Sequence, residues 1–312
     1  MKRIAPWAVT IAIFAFLFSK YPVGRVAETI GSARWGLFLA LMVPYSIFYT
    51  LVDSFVLQQA VSWFNVRVRY RDILPVRATT YILSLVNTFV GQGGVAVYLN
   101  RRYGIPFWQV TGTIVFIVLI EMYQLAFYSA VGAAVSGEAP RGLWSVYAAL
   151  AAYLAAHLWF FSRPRGERLA KVPFLAAFWK AKPIQYLLLL LYKTPNLLAA
   201  VVVHWLALPL FGIEVPFVKL LTFLPLVFFA AAFPLAAAHL GPSQAAWVYF
   251  FAGGDETRGA QLVAYSLASH FMFMLDNALI GLIFLRRATR ELGPDATATA
   301  AEPGAHAGAS GV

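Results

Sequence analysis

The chain has 312 residues, of which 61% are hydrophobic and 12% are charged, and its mean hydropathy is +0.72. A soluble domain of this size needs about a quarter of its residues charged to cover its surface, so the composition indicates an integral membrane protein. The absence of cysteine excludes disulfides, thiolate catalysis and cysteine-ligated metals. The net charge of +11 fits Lys- and Arg-rich loops beside anionic lipid better than a nucleic-acid surface, so we expect no nucleic-acid partner.

Six apolar stretches are long enough to cross a bilayer, which needs about 20 residues per helix. They cover residues 4–20, 35–60, 106–136, 143–162, 184–211 and 259–285. The first follows Met1-Lys-Arg as in a signal peptide, but no small-residue cleavage site comes after it, so we interpret it as a retained helix. We predict an all-α membrane domain over residues 1–290. Residues 291–312 lack an apolar period and are expected to form a disordered tail.

Two further apolar segments, 80–100 and 219–252, are interrupted. Glycines break the first within the run Asn87-Thr-Phe-Val-Gly-Gln-Gly-Gly94, and prolines and Gly241 break the second between Leu224 and Gln244. In a membrane, an irregular backbone is tolerated only where it is buried in protein or lines a wet cavity. Paired interruptions in the two halves of a chain point to the substrate site of a transporter built from inverted repeats. We therefore predict two re-entrant helical hairpins in a pseudo-inverted repeat, with tips that meet near the midplane.

The distribution of basic residues supports this topology and sets the orientation. If both interrupted segments re-enter, 17 of the 24 Lys and Arg residues lie on one side, six lie on the other and Lys193 lies within a helix. The basic-rich side is expected to be cytoplasmic, with both termini inside. If only the first interrupted segment spanned, the basic loop 163–182 would lie outside. The sequence therefore predicts a multi-pass protein of a bacterial-type inner membrane with six spans and two hairpins.

At these residues the chain resembles the flippase-like transmembrane family, whose best-known members are the membrane domains of bacterial lysylphosphatidylglycerol synthases. The resemblance covers about residues 5–290. It rests on Gly91-Gln-Gly-Gly94, Tyr98-Leu-Asn-Arg-Arg-Tyr-Gly104, Glu121, Phe233-Pro234, Leu240-Gly241 and Gln244. It implies lipid handling by a translocation domain.

Two positions depart from the family pattern. The family commonly has an acidic residue where this chain has Val95, and a glutamate where it has Gln244. If those carboxylates drive proton coupling in relatives, coupling is in question here. We expect no aminoacyl-transferase domain like that of the full synthases, so the resemblance implies lipid movement and not lipid aminoacylation.

The candidate head-group site combines the interrupted segments with charged residues inside the spans. Glycine lets a head group approach the backbone closely, and the N-termini of broken half-helices attract anions; the alternative is close helix packing. The Arg101 guanidinium could bind a lipid phosphate or serve only as a rim anchor. The predicted substrate-binding residues are Asn87, Gly91, Gln92, Gly93, Gly94, Arg101, Glu121, Lys193, Asn196, Pro234, His239, Gly241, Gln244 and Asp276.

Three of these carry charge at depth in the membrane. Glu121, with Gln124 and Tyr128 on the same helical face, lies midway along the third span, and Asp276 lies at similar depth in the last. Carboxylates there are functional by default, although an internal ion pair is the alternative. Lys193, beside a proline kink, could counter Glu121 or Asp276, hold a lipid phosphate, or snorkel to the interface. Asp53 is expected to lie nearer a helix end than these two carboxylates, in a structural role.

No catalytic signature accompanies this set. The sequence contains no HExxH, Walker or GxSxG motif, and its histidines are scattered, so no metal, cofactor or catalytic residue is predicted. The favoured function is a translocator of a phospholipid or polyprenyl-linked lipid, with an anionic lipid head group as partner. The alternatives are an intramembrane lipid-modifying enzyme with Glu121 or Asp276 as base, and a non-transporting partner of a lipid-synthesis enzyme.

Overall fold

The computed structural model describes residues 5–84, 88–137, 143–162, 171–232 and 240–290, and these residues form helices and short connections without a strand. The helices are α1 Ala5–Lys20, α2 Val23–Ser32, α3 Trp35–Phe64, α4 Tyr70–Ser84, α5 Thr88–Tyr103, α6 Phe107–Ser136, α7 Leu143–Ser162, α8 Ala176–Lys180, α9 Pro183–Ala207, α10 Phe217–Ala232, α11 Pro242–Phe251 and α12 Glu256–Arg290. Two 3₁₀ turns, Pro173–Leu175 and Leu208–Phe211, precede α8 and follow α9.

Five helices are long and apolar enough to cross a membrane: α3, α6, α7, α9 with its 3₁₀ extension, and α12. A sixth crossing is formed if α1 and α2, which meet at an 86° bend, count as one broken span. The bend coincides with Pro22, whose backbone is extended and cannot continue a helix. The chain is therefore a multi-pass membrane protein, and five of the six predicted spans are confirmed, with the first present as a bent pair.

The bundle has two ends, which we name after Phe64 and Glu214. At the Phe64 end, the Lys180 Nζ donates to the Phe64 carbonyl at 2.8 Å, and the Asn65 amide donates to Thr113 Oγ1 at 2.8 Å. At the Glu214 end, Arg258 donates to the Glu214 carbonyl at 2.7 Å. The two contacts at the Phe64 end hold the C-terminus of α3 beside the N-termini of α6 and α9, so α3 runs antiparallel to both.

Helices α4 and α5 pack on each other, as do α10 and α11, and we call these two pairs the first and the second hairpin. The Phe223 and Phe250 rings stack between α10 and α11 with centroids 5.1 Å apart. At 10 to 16 residues each, these four helices extend about 15 to 24 Å, less than the roughly 30 Å of a bilayer core. None of these four described helices is therefore long enough to cross the bilayer core on its own.

The glycines of the first hairpin do not break a helix, which corrects the sequence interpretation. Gly91, Gly93 and Gly94 lie within the continuous helix α5, and the connection from α4 precedes them, in residues 85–87 outside the described ranges. A Cβ at Gly91 would collide with the Ser84 hydroxyl and come within 2.8 Å of the Thr80 carbonyl. The structure thus shows the alternative, in which small residues let α4 and α5 approach closely.

The two hairpins pack on the long helices in a reciprocal way. Helix α4, in the first hairpin, packs most extensively on α12, whereas α10, in the second, packs most extensively on α6. In both contacts a glycine of the long helix meets a backbone: a Cβ at Gly281 would lie 2.5 Å from the Ala78 carbonyl oxygen, and one at Gly132 would lie 2.6 Å from the Thr222 nitrogen. Each hairpin is therefore clamped by the long helix that follows the other one.

The two larger apolar cores of the described residues occupy the ends of the bundle, with polar side chains between them, and a smaller core surrounds Leu17 and Tyr21. One core surrounds Phe64 and Phe116, and the other surrounds Phe38 and Tyr265. On α3, the buried polar residues 46, 50, 53 and 54 separate the segments that contribute to the two cores. We call this intermediate zone the polar layer, and define it by Ser46, Tyr49, Thr50, Asp53, Arg77, Tyr81, Glu121, Gln124, Lys193, Thr194, Asn196, Asp276 and Asn277.

Candidate functional site

The charged residues of the polar layer lie near the middles of their helices. With a rise of 1.5 Å per residue, Glu121, Lys193, Asp276 and Asp53 are each within about 5 Å of the centre of α6, α9, α12 and α3. The predicted depth of Glu121 and Asp276 matches these positions. Asp53 lies 11 residues from the end of α3 at Phe64 and is nearer a helix end than Glu121 and Asp276, as expected.

The first ion pair joins α3 to the first hairpin. Arg77 Nε lies 2.5 Å from Asp53 Oδ2, and the Tyr81 hydroxyl donates to the same oxygen at 2.7 Å. The Arg77 and Asp53 side chains are only 16% and 8% exposed. Arg77 is one of the 17 basic residues that the count placed on the cytoplasmic side, whereas the structure buries it against Asp53. A signal was present in the sequence, because Arg77 and Tyr81 are four residues apart and share a helical face.

The second ion pair joins α6 to α9. Lys193 Nζ lies 3.0 Å from Glu121 Oε2, with the lysine side chain 8% exposed and the glutamate side chain 36% exposed. Next to the pair, Gln124 and Tyr128 both donate to Thr194 Oγ1, at 3.4 and 3.2 Å. Of the roles considered for Lys193, the structure shows the counter-ion of Glu121, because a snorkelling lysine would be exposed.

The two ion pairs belong to one electrostatic unit around Tyr49. The Tyr49 ring lies 6.3 Å from that of Tyr81, whose hydroxyl donates to Asp53. The Asn196 amide donates to the Tyr49 carbonyl at 3.4 Å, which brings a further predicted site residue into the unit. Two cations and two anions balance in a region where low polarity strengthens each interaction.

Asp276 joins the polar layer from α12, and it forms no ion pair with a described side chain. The Ser46 hydroxyl donates to Asp276 Oδ2 at 3.2 Å, and the Thr50 hydroxyl donates to the neighbouring Asn277 Oδ1 at 2.7 Å. Asp276 is 7% exposed. Lys193 was considered as its counter-ion in the sequence, but the lysine lies beside Glu121 instead, because α9 presents it to α6.

The second-half motif forms a helix start and lies apart from the ion pairs. Gly241 has φ +103°, a conformation that favours glycine, and its N–H donates to Gln244 Oε1 at 2.6 Å at the beginning of α11. Gln244 is fully buried, and its Nε2 has no hydrogen-bond partner among the described residues. Gly241 packs against Ile13 of α1. Pro234 and His239, like Asn87 in the first half, lie outside the described residues.

The remaining predicted residues occupy helix α5. Gln92 and Gly93 are half-buried, and a Cβ at Gly93 would meet no atom within 4 Å. Arg101 is exposed in the last turn of α5, at the Phe64 end. The structure thus brings Glu121, Lys193 and Asn196 together, and it holds Arg101, Gly241 and Gln244 at other places on the bundle.

Two surface grooves lie outside the ion-pair unit. One, of about 690 Å³, runs between α1 and α11 and is lined by Phe16, Lys20 and Tyr249 among others. The other, of about 270 Å³, lies between α2 and the start of α12. Within the described ranges, no three His, Asp or Glu side chains come together as a metal site.

Comparison with protein-family models and with curated proteins gives no match. The resemblance to the flippase-like transmembrane family therefore stays a prediction.

Proposed function

We propose that this chain is a lipid translocator, which moves a phospholipid or polyprenyl-linked lipid head group across the inner membrane between two re-entrant hairpins. The proposal rests on two ion pairs, Asp53–Arg77 and Glu121–Lys193, that lie near the middle of a membrane-spanning bundle. Ionisable groups at that depth are costly and usually mark the path of a substrate or an ion.

The packing of the hairpins supports an inverted repeat. One repeat comprises α3 to α6, and the other comprises α9 to α12. The helices that precede the hairpins, α3 and α9, pack on each other and carry most of the polar layer, and the hairpins pack reciprocally on α12 and α6. In transporters with inverted repeats, the substrate site lies at the interface of the repeats near the midplane. The polar layer occupies that interface.

The unequal exposure of the second ion pair suggests how a head group is handled. Glu121 is the more exposed partner, so Lys193 can be reached from its side. A lipid phosphate that displaces the Glu121 carboxylate would take over a charge-assisted hydrogen bond from the ammonium group. Lysine then stays compensated throughout, which avoids the large cost of a buried charge without a partner. Arg101, at the Phe64 end, would provide an earlier phosphate contact.

The function is tested by reconstituting the purified protein in liposomes that contain a phospholipid with a fluorescent head group. A membrane-impermeant reductant bleaches the fluorescent lipid of the outer leaflet. Translocation brings the labelled lipid of the inner leaflet to the outer one, where it is bleached too. We expect bleaching beyond one half with the protein and not with empty liposomes. A lipid of changed mass would instead indicate an intramembrane enzyme, and unchanged lipid that stays in its leaflet would contradict translocation.

Lys193→Gln should slow this movement roughly ten- to a hundredfold, because it removes a charge-assisted hydrogen bond that contributes about 1.5–3 kcal/mol. Lys182→Gln is the matched control, since Lys182 is exposed at the start of the same helix. Equal rates in the two variants would show that Lys193 does not contact the head group. Thermal unfolding measured in parallel separates slow transport from loss of fold.

The proposed topology is tested by cysteine labelling, which is direct because the chain has no cysteine of its own. Single cysteines at positions 70 and 170 should react with an impermeant thiol reagent from the cytoplasmic side, and those at 140 and 214 from outside. This pattern follows if both hairpins re-enter and the basic-rich loops stay inside. Labelling of position 170 from outside would overturn the re-entrant arrangement.

A further inference from the structure

The three carboxylates of the polar layer differ in their partners. Asp53 is paired with Arg77, and Glu121 is paired with Lys193. Asp276 has a hydroxyl partner, Ser46, and no ion pair with any described side chain. An ionised carboxylate without a cation is strongly disfavoured in an environment of low polarity, whereas the neutral acid is not.

The elements that pack on α12 present few titratable groups to Asp276. From α3 come Tyr45 and Tyr49, whose rings lie 5.6 and 4.9 Å from that of Phe273. From α4 come Arg77 and Tyr81, both already bonded to Asp53. The remaining titratable groups are farther along the bundle or bonded elsewhere. Tyr249 of α11 is 77% exposed, Arg25 and Glu28 of α2 lie at the Glu214 end, and the Leu208–Phe211 turn has no titratable side chain. On α12 itself, Tyr265 is bonded to His204, and His270 has a partner of its own.

We infer that Asp276 is a proton-binding site, and that its protonation couples lipid movement to a proton gradient. The second part rests on the proposed translocation. The carboxylate takes one proton from a hydronium ion of the solvent, which becomes water, and forms a neutral acid, while the Ser46 hydroxyl keeps its hydrogen bond to Oδ2. No other bond is made or broken. This site is distinct from Val95 and Gln244, where the related family commonly has acidic residues.

The position of Asp276 explains how a proton could act on the hairpins. Loss of the proton places an uncompensated negative charge between α3 and α12, which water or a displaced cation must then solvate. Helix α12 also carries Gly281, which packs against the Ala78 carbonyl of the first hairpin. A shift of α12 relative to α3 therefore reaches α4 directly. Protonation favours the closed contact seen here, and deprotonation favours its opening.

Infrared difference spectroscopy tests proton binding without any transport. The carbonyl stretch of a neutral carboxylic acid is absent from ionised carboxylates, so the wild-type protein in liposomes should show this band near neutral pH. Asp276→Asn should remove it, and Ser46→Ala should keep it but raise its frequency, because one hydrogen bond is lost. Glu256→Gln, at an exposed carboxylate in the first turn of α12, is the control and should leave the band unchanged. A wild-type protein without the band, or one whose band persists in Asp276→Asn, overturns the assignment.

Transport tests the coupling. If one proton moves with each lipid, a gradient of one pH unit should produce an about tenfold asymmetry of labelled lipid between the leaflets. Asp276→Asn should abolish the asymmetry, and the exposed control Glu214→Gln should retain it. An asymmetry that persists in Asp276→Asn overturns the coupling. If the wild-type protein moves no lipid at all, the proposed function fails, and the infrared band alone then decides whether Asp276 binds a proton.

Discussion

Replacing Arg77 with methionine should lower the free energy of unfolding by about 3–5 kcal/mol, because the change leaves the buried Asp53 carboxylate without its cation. The Tyr81 hydroxyl remains and donates one hydrogen bond to it, but this does not offset the charge. Methionine has a volume similar to the arginine stem, so packing should change little. The effect is measured by thermal or denaturant unfolding in detergent micelles.

Two further variants separate the charge from other effects. The double variant Asp53→Asn/Arg77→Met should recover most of the lost stability, because it removes the unpaired charge. Arg69→Met, at an exposed position just before α4, should change stability by less than about 1 kcal/mol. A double variant no more stable than Arg77→Met alone would mean that the ion pair is not what holds α4 to α3.

Adding a single methyl group at Gly132 or Gly281 should also destabilise the protein strongly. In each alanine variant the Cβ would lie within 2.6 Å of the backbone of the opposing hairpin, which cannot move aside like a flexible side chain. Overpacking of this kind costs about 1–3 kcal/mol at each site. Because Gly132 and Gly281 clamp different hairpins, the two losses should add.

Gly93→Ala is the matched control for these variants. It also lies within a helix, but its Cβ would meet no atom within 4 Å. Alanine there should be neutral or should stabilise by up to about 1 kcal/mol through helix propensity. Melting temperatures of the three variants in one detergent provide the comparison. If Gly132→Ala and Gly281→Ala have the same melting temperature as Gly93→Ala, the close reciprocal packing of the hairpins is wrong.

The long helices could be predicted from sequence because the bilayer itself sets their length. A run of about 20 apolar residues has few alternatives to a span, and so α3, α6, α7, α9 and α12 were predictable. The same argument located Glu121 near the middle of α6. It did not locate Arg77, because the depth of a residue in a short, interrupted helix depends on how the hairpin packs, and no hydropathy window contains that information.

The glycines show why the local sequence pattern led to the wrong prediction of a broken helix. Glycine permits both a break in a helix and a close approach between helices, and the residues around Gly91 are compatible with either. The outcome depends on α4, whose Thr80 and Ser84 face Gly91 across the hairpin. The partner of Lys193 was open for a similar reason, since only the tertiary arrangement of α9 beside α6 decides between Glu121 and Asp276.

The central claim is that the polar layer lies on a hydrated path for a lipid head group and is not a sealed structural core. Its most direct test is the reactivity of a cysteine at Thr194, which adjoins Lys193 and is half-buried near the middle of α9. A charged, membrane-impermeant thiosulfonate reacts with the thiolate, which requires water. Leu191→Cys is the control, because Leu191 is 50% exposed on the same helix and faces lipid. We predict that Thr194→Cys is modified and Leu191→Cys is not, and that added phospholipid slows the modification. If Thr194→Cys is as unreactive as Leu191→Cys in the folded protein, the polar layer is sealed and the proposed path is contradicted.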